Sequence, residues 1–292
     1  MRTIHTTTIV LSLLLLFCSC RQKETQPLNY YDLCRQNLEL AREGRLAEDA
    51  FTCVQHSSAG LVLEWERDWR LAKLLSDIYY EAGHMALAQR YAFEANVYAE
   101  GRYMPDMLKR LIQTNIIYGA YPVAEKYITE LESDRECGAW ARDQRRFLRD
   151  DAAVEADPEY GAKRRCIPEQ DFLAATIGIE DLGYVIDANP EHHKSMDYLG
   201  VYYLLDCDFE RFGALVERYY GTPALPTMPR SFAEAVCMMS EDNPGYWKRF
   251  GVEPAVYRRY RDFVTRLSTG LSMSKFDDTF WYYVMMMNRQ AQ

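Results

Sequence analysis

The chain has 292 residues, of which 48% are hydrophobic, and a formal net charge of −9. That apolar content supplies a large core and excludes an intrinsically disordered chain. The acidic balance, with no long basic patch, argues against nucleic acid or anionic lipid headgroups as partners. The length fits one solenoid or two small domains.

The first 20 residues have the organisation of an export signal. Arg2 precedes an apolar run at residues 9–17, which is far shorter than the roughly 20 residues that span a bilayer. The run ends in Cys18-Ser19-Cys20, which resembles a bacterial lipobox. The resemblance implies a lipoprotein signal peptide at residues 1–19, lipidation of Cys20, and a short tether over 20–27. Lipidation at Cys18 and secretion with plain cleavage remain open.

These features predict a protein of the bacterial cell envelope that is lipid-anchored to a membrane. The outer membrane is the expected one, with the protein facing the periplasm or the cell surface. Six cysteines then remain in the mature chain, and both disulfides and buried free thiols are open in such a compartment. If one bridge forms, Cys34–Cys53 is favoured, because a helical hairpin would bring these flanks together.

Helical periodicity begins after the tether. Residues 28–55 predict an irregular first hairpin around Gly44. Residues 69–95 read WRLAKLLSDIYYEAGHMALAQRYAFEA, with apolar residues at helical spacing on both sides of Gly83. This stretch resembles a tetratricopeptide repeat, and the matching residues are Leu75, Tyr79, Gly83, Ala88 and Ala95.

The same pattern returns at residues 105–131, where Ala124 lies 36 residues after Ala88. The resemblance implies stacked helical hairpins over residues 28–133. Residues 134–167 interrupt the pattern with an irregular helix and a charged linker or long loop at 151–165. Two interpretations of this segment are open: a solvated connector, or a hinge between two helical halves.

Residues 168–292 predict a second helical half. Leu-Gly-x-x-Tyr at residues 199–203 resembles the repeat motif again, followed by a turn at Cys207-Asp208. Ser231 is a candidate N-cap, Pro254 suits a first helical turn, and Asp277 or Asp278 would cap the last helix. Residues 280–287 are apolar all round, so this helix is either buried or docked on something outside the chain.

The predicted fold is therefore all-α, an α-solenoid of tetratricopeptide-like hairpins, with a division into two halves left open. The chain also resembles an uncharacterised bacterial family with tetratricopeptide-like C-terminal regions. That resemblance lies in NPEHHKSMDYLGVYYLLDCDFERF and PRSFAEAV, at residues 189–212 and 229–236. It implies no activity, because these are packing motifs.

No pattern of catalytic chemistry stands out. HExxH, GxSxG and P-loop motifs are absent from the sequence. His193 and Asp197 share one helix face, but no third ligand follows from the pattern, and a helix start near His192 is the simpler interpretation. We therefore expect no enzyme, no metal and no cofactor.

A groove is the remaining candidate site. In tetratricopeptide domains the first helix of each hairpin lines a concave surface, which implies an inward face for an extended peptide. Asp77 stands where some of these domains place an asparagine, which argues against a terminal carboxylate as ligand. The inward positions map to Arg70, Lys73, Asp77, Tyr80, Asp106, Lys109 and Gln113.

Two functions follow as hypotheses. The first is an interaction or scaffold module of the envelope with a protein or peptide partner. The second is a glycan-binding or cell-wall-acting protein with a cleft in its helical body. A closed pocket with convergent carboxylates and an exposed tryptophan, for instance Trp65 or Trp69, would favour the second.

Overall fold

The structure is a computed structural model that describes residues 29–52, 57–169, 178–241 and 243–290. These residues form α-helices joined by turns, loops and short 3₁₀ helices, and no β-strand occurs among them. The all-α, repeat-like prediction is confirmed. The helices are α1 Tyr30–Arg42, α2 Leu46–Asp49, α3 Trp69–Glu81, α4 Met85–Tyr98, α5 Pro105–Ile117, α6 Tyr121–Leu131, α7 Gly138–Gln144, α8 Asp151–Ala156, α9 Pro158–Arg165, α10 Leu182–Ala188, α11 His193–Leu205, α12 Phe209–Tyr219, α13 Arg230–Met239, α14 Tyr246–Arg249, α15 Pro254–Thr269 and α16 Phe280–Gln290.

The predicted hairpin at residues 69–95 is formed by α3 and α4. Asp68 caps α3 by accepting from the backbone N–H groups of Arg70 and Leu71. Gly83 turns the chain at a φ of +88°, where a side chain would be strained. The Ser76 hydroxyl donates to the Ala88 carbonyl over 2.8 Å, so the two helices approach closely where the small residues meet.

Two further hairpins follow the prediction. Helices α5 and α6 turn at Gly119, which has a φ of +71°, and Pro105 opens α5. Helices α11 and α12 turn at Cys207, with a φ of +54°. Packing explains why α11 has a glycine at position 200 of the Leu-Gly-x-x-Tyr motif. A Cβ added at Gly200 would lie 2.1 Å from the Phe232 ring.

Helix α3 connects two apolar cores. Its residues Leu71, Leu75 and Tyr79 pack into a core shared with helices α4–α9. Its residues Leu74 and Ile78 pack into a second core that includes α1, α2 and helices α10–α16. Helix α3 thus contributes a face to each core, and α1 and α2, which belong to the predicted first half, pack with the second core.

The last helix is buried within the chain, which was one of the two alternatives for it. Phe280 and Trp281 are 0% and 1% exposed, and Met285 is 2% exposed. The Tyr283 hydroxyl donates to the Leu205 carbonyl, which ties α16 to the end of α11. Helix α16 therefore closes the second core.

Three local predictions are wrong. The charged segment 151–165 is helical rather than a loop, because Asp150 and Asp157 cap two short helices, α8 and α9. Ser231 is not an N-cap: α13 begins at Arg230, and the buried Ser231 hydroxyl donates to the Ala47 carbonyl. The last helix is capped by neither predicted aspartate; the Thr279 hydroxyl accepts from the Tyr282 N–H at 3.2 Å.

Several predictions fall outside the described residues. The leader, Cys20 and the tether precede residue 29, and part of the pattern after residue 168 falls in the gap at 170–177. Cys53 is also outside, whereas Cys34 is a free, buried thiol that donates to the Ala59 carbonyl. None of the helices in the described ranges has both the length and the apolar composition that crossing a bilayer requires.

Candidate functional site

The seven predicted site residues lie on α3 and α5, the first helices of the two stacked hairpins. We call their common surface the inner face. Side chains connect the two helices across it. Lys73 Nζ lies 3.3 Å from the Asp77 carboxylate on its own helix and 3.5 Å from the Asp106 carboxylate on the next. These three predicted residues are therefore brought together.

Arg110, which is not among the predicted residues, is central to the inner face. Its guanidinium donates to Asp77 over 3.0 Å and to the Gln113 side chain over 3.0 Å. It also lies 3.5 Å from the centroid of the Tyr80 ring, a cation–π contact. Arg110 follows Asp106 by four residues, so the helical repeat that selected Asp106 and Gln113 also contains it.

One end of the inner face is covered by the chain itself. The Tyr80 hydroxyl donates to Glu159 Oε1 of α9 over 2.5 Å, and Gln113 Nε2 lies 3.4 Å from the same oxygen. Tyr80 is only 4% exposed. Burial and the Glu159 charge raise the pKa of Tyr80 well above its ordinary value. We call this part the closed end; Tyr80 belongs to it and does not offer its ring to an external peptide as predicted.

The other end of the inner face is open. The exposed Arg70 guanidinium lies 5.0 Å from the centroid of the Trp69 ring. The Arg102 guanidinium, from the turn between α4 and α5, lies 5.7 Å from the same ring. Lys109 Nζ lies 5.5 Å from the Trp140 ring of α7. We call this part the open end. It combines two tryptophan rings with cations, and Asp106 is the exposed carboxylate among them.

Helix α9 is fixed in place by a buried lysine. Lys163 Nζ donates to the Tyr80 carbonyl over 2.6 Å and to the Glu81 carbonyl over 3.0 Å, at the C-terminal end of α3. The partial negative charge of a helix C-terminus favours a cation there. Burial nevertheless lowers the pKa of Lys163 to about 8.

His192 joins the same helix end. Its Nε2 lies 3.0 Å from the Glu81 carbonyl, and burial, with the Lys163 charge nearby, lowers the pKa of His192 to about 3. A neutral His192 with its proton on Nε2 donates to that carbonyl. His192 directly precedes α11, so the predicted helix start is confirmed, but its side chain is partly buried and connects α11 to α3.

His193 and Asp197, which share one helix face by their spacing, were the one His–carboxylate combination considered as metal ligands. Among the described residues, no three His, Cys, Asp or Glu side chains are grouped as a metal site would need. His193 is exposed, whereas Asp197 is partly buried. Burial and the Glu48 charge raise the pKa of Asp197 to about 7, against an ordinary value of 3.8.

Asp197→Asn is expected to stabilise the protein at pH 8 and not at pH 4. The folded state holds the Asp197 proton up to about pH 7, whereas the unfolded state loses it near pH 4, so the free energy of unfolding falls as the pH rises between them. For a wholly buried group the shift is worth about 4 kcal/mol. Partial exposure reduces this to about 1–2 kcal/mol. Urea unfolding at several pH values measures the gain, and Asp206→Asn, at the exposed end of α11, is the control. A gain that is equal at pH 4 and pH 8 would contradict the assignment.

A second concave feature lies near the start of the described chain. It is a shallow, open cleft of about 350 Å³. The exposed Trp65 lies between two of its glutamates in sequence. The cleft has the carboxylates that a glycan site would use, but it is not closed. Its lining residues are Tyr31, Ala59, Leu63, Glu64, Glu66, Asp68 and Leu71.

Comparison with known proteins gives one match. Residues 19–287 match a family model described as a family of unknown function (DUF6057). No curated protein and no solved structure matches the chain.

Proposed function

We propose that this chain, which belongs to the DUF6057 family, is a membrane-anchored interaction module that binds an extended acidic segment of a partner protein on its inner face. The anchor would be a lipid on Cys20. The partner would be a protein of the same cell envelope, and the helical body would act as a scaffold. The proposal involves no catalytic step.

The observation that carries this proposal is the position of Glu159. A carboxylate from the chain's own helix α9 accepts from the Tyr80 hydroxyl and lies within 3.4 Å of the Gln113 amide. The inner face therefore already pairs with an acidic side chain at its closed end. The objection that Asp77 repels a carboxylate is weakened, because Arg110 donates to Asp77 at 3.0 Å.

The open end continues the same chemistry into solvent. Arg70 and Lys109, with Lys73 next to Asp106 at the border of the open end, would pair with acidic side chains. The Trp69 and Trp140 rings would pack against the apolar parts of an extended chain. Charge-assisted hydrogen bonds of this kind favour specificity and fast association. Tryptophan is one of the residue types that most often contribute strongly to the binding energy of protein interfaces.

A double charge reversal tests the proposal. In pull-downs from membranes with the full-length protein, Lys73→Glu with Lys109→Glu is expected to lower recovery of a stoichiometric protein partner about tenfold, because like charges then face the acidic segment. Lys248→Glu is the matched control, since Lys248 also lies over a tryptophan, Trp247, at 5.4 Å but is not on the inner face. Equal recovery by the double variant and the wild type would overturn the proposal.

A glycan-binding role is the second candidate, and the shallow cleft beside Trp65 is the observation that favours it. Glu64 and Glu66 line that cleft and would accept hydrogen bonds from sugar hydroxyls. Retention of the wild-type protein on isolated cell-wall glycan, lost in Glu64→Gln with Glu66→Gln but kept in the Lys73→Glu, Lys109→Glu variant, would select this function instead.

A further inference from the structure

An apolar patch lies on the second helix of the first hairpin. Phe93 and Val97, four residues apart on α4, are 55% and 54% exposed. Trp65, from the segment before α3, is 50% exposed and contacts Glu94 of α4, three residues before Val97. We call these three residues the outer patch. Large apolar side chains grouped on a surface mark a site of interaction.

Trp65 is fixed against α4 rather than loose. Its Nε1 donates to Glu94 Oε2 over 2.7 Å, next to Phe93. Its ring meets the Tyr98 ring edge-on, with centroids 6.3 Å apart. An indole held in place with half of its surface in water has an apolar body available for a neighbour.

The charges around the outer patch are of both signs. Arg90 forms an ion pair of 2.9 Å with Glu94, and the Arg67 guanidinium lies 5.7 Å from the Tyr98 ring. The exposed Glu64 and Glu66 flank Trp65 in sequence, so charges of both signs border the apolar side chains. Such a surface suits the neutral, apolar boundary of a lipid layer better than an acidic or basic protein partner.

The described chain begins beside this patch. Tyr31, in the first turn of α1, lines the same shallow cleft as Glu64 and Glu66, which flank Trp65 in sequence. Cys20 precedes Asn29 by nine residues. Nine residues span at most about 30 Å, so a lipid on Cys20 keeps the outer patch close to the membrane.

We propose that the outer patch rests on the surface of the membrane that carries the anchor, with Trp65, Phe93 and Val97 inserted at the level of the lipid headgroups. This proposal relies on the lipid anchor of the proposed function. Tryptophan is enriched at that level because its ring is apolar and its N–H is polar. Phenylalanine and valine add apolar area that is otherwise exposed to water.

The contact would also orient the binding site. The outer patch includes two residues of α4, whereas the open end of the inner face lies on α3, α5 and α7. These are the two layers of the hairpin stack. With α4 against the lipid, the open end faces away from the membrane, where a partner protein can approach it.

Quenching of tryptophan fluorescence by brominated lipid tests the contact. The lipidated, full-length protein is reconstituted in phosphatidylcholine vesicles with and without bromine on the acyl chains. Wild-type emission is expected to fall in the brominated vesicles. The fall should be lost in Trp65→Phe, and also in Phe93→Glu with Val97→Glu, in which Trp65 remains but the apolar surface beside it does not.

A tryptophan elsewhere on the surface provides the control. Leu271, just after α15, is 54% exposed, so Leu271→Trp in the Trp65→Phe background offers a comparably exposed ring on another segment of the chain. No quenching is expected from it. Flotation of the same vesicles measures whether the anchor holds the protein on the membrane, independently of the outer-patch contact. If the protein floats but is not quenched, the outer-patch proposal alone is overturned, and a protein would then be the partner of the patch. If the protein does not float, the anchor is overturned.

Discussion

Trp281→Ala is expected to lower the free energy of unfolding by about 3–5 kcal/mol, the range for removing a large aromatic side chain from a core. Trp281 is 1% exposed. Its ring packs against those of Tyr260 and Phe263, with centroids 5.2 Å and 5.9 Å away. Alanine leaves a cavity that these rings cannot fill without moving α15.

A polar contact is lost together with the ring. Trp281 Nε1 donates to the Glu234 carbonyl over 2.7 Å, and the Glu234 carboxylate accepts from the Phe280 N–H over 2.8 Å. The carbonyl would lose this buried partner, which adds to the cavity cost. Burial also raises the pKa of Glu234, so this junction of α13 and α16 already contains a desolvated carboxyl group.

Urea unfolding followed by far-UV circular dichroism measures the effect without depending on tryptophan emission. Trp65→Ala is the matched control: the same atoms are removed from a half-exposed site, and a loss of about 1 kcal/mol or less is expected. If Trp281→Ala does not fold, Trp281→Phe should still be less stable than wild type. Similar losses for Trp65 and Trp281 would contradict the assignment of α16 as the closing helix of the core.

Local patterns were sufficient to predict the hairpins. Glycines at 83 and 119 and the small residues at 76 and 88 determine where two helices turn and touch, and both signals act within one hairpin. The helix caps were harder to predict. Ser231 has the residue type of an N-cap, but its hydroxyl bonds to Ala47, which is 184 residues away in the chain and cannot be found from spacing.

The candidate site was predictable only in part. Lys73, Asp77 and Asp106 do meet, since helical spacing placed each on the inward side of its own helix. The closed end was not predictable, because Glu159 comes from a segment whose charge indicated a solvated loop. Lys163 shows the physical reason. A lysine is usually exposed, and the two carbonyls at the end of α3, with the Tyr80 ring 5.1 Å away, make its burial favourable.

Cys20→Ala is expected to abolish incorporation of radiolabelled fatty acid and to release the protein from membranes. The lipobox resemblance assigns the modification to this one cysteine, and several acyl chains together give the stable anchoring that a single chain does not. Fractionation of cells after labelling measures both effects. The outer patch, with three half-exposed side chains, is too small to replace the acyl chains, so the released fraction should be nearly complete.

Cys18→Ala is the control, because Cys18 is the alternative site two residues earlier in the same leader. Its labelling and membrane association should equal those of the wild type. Loss of label in Cys18→Ala but not in Cys20→Ala would move the anchor and lengthen the tether by two residues, or about 7 Å at most. If the wild type, Cys20→Ala and Cys18→Ala all lack label, the chain is secreted without a lipid anchor. The outer patch would then contact something other than the membrane.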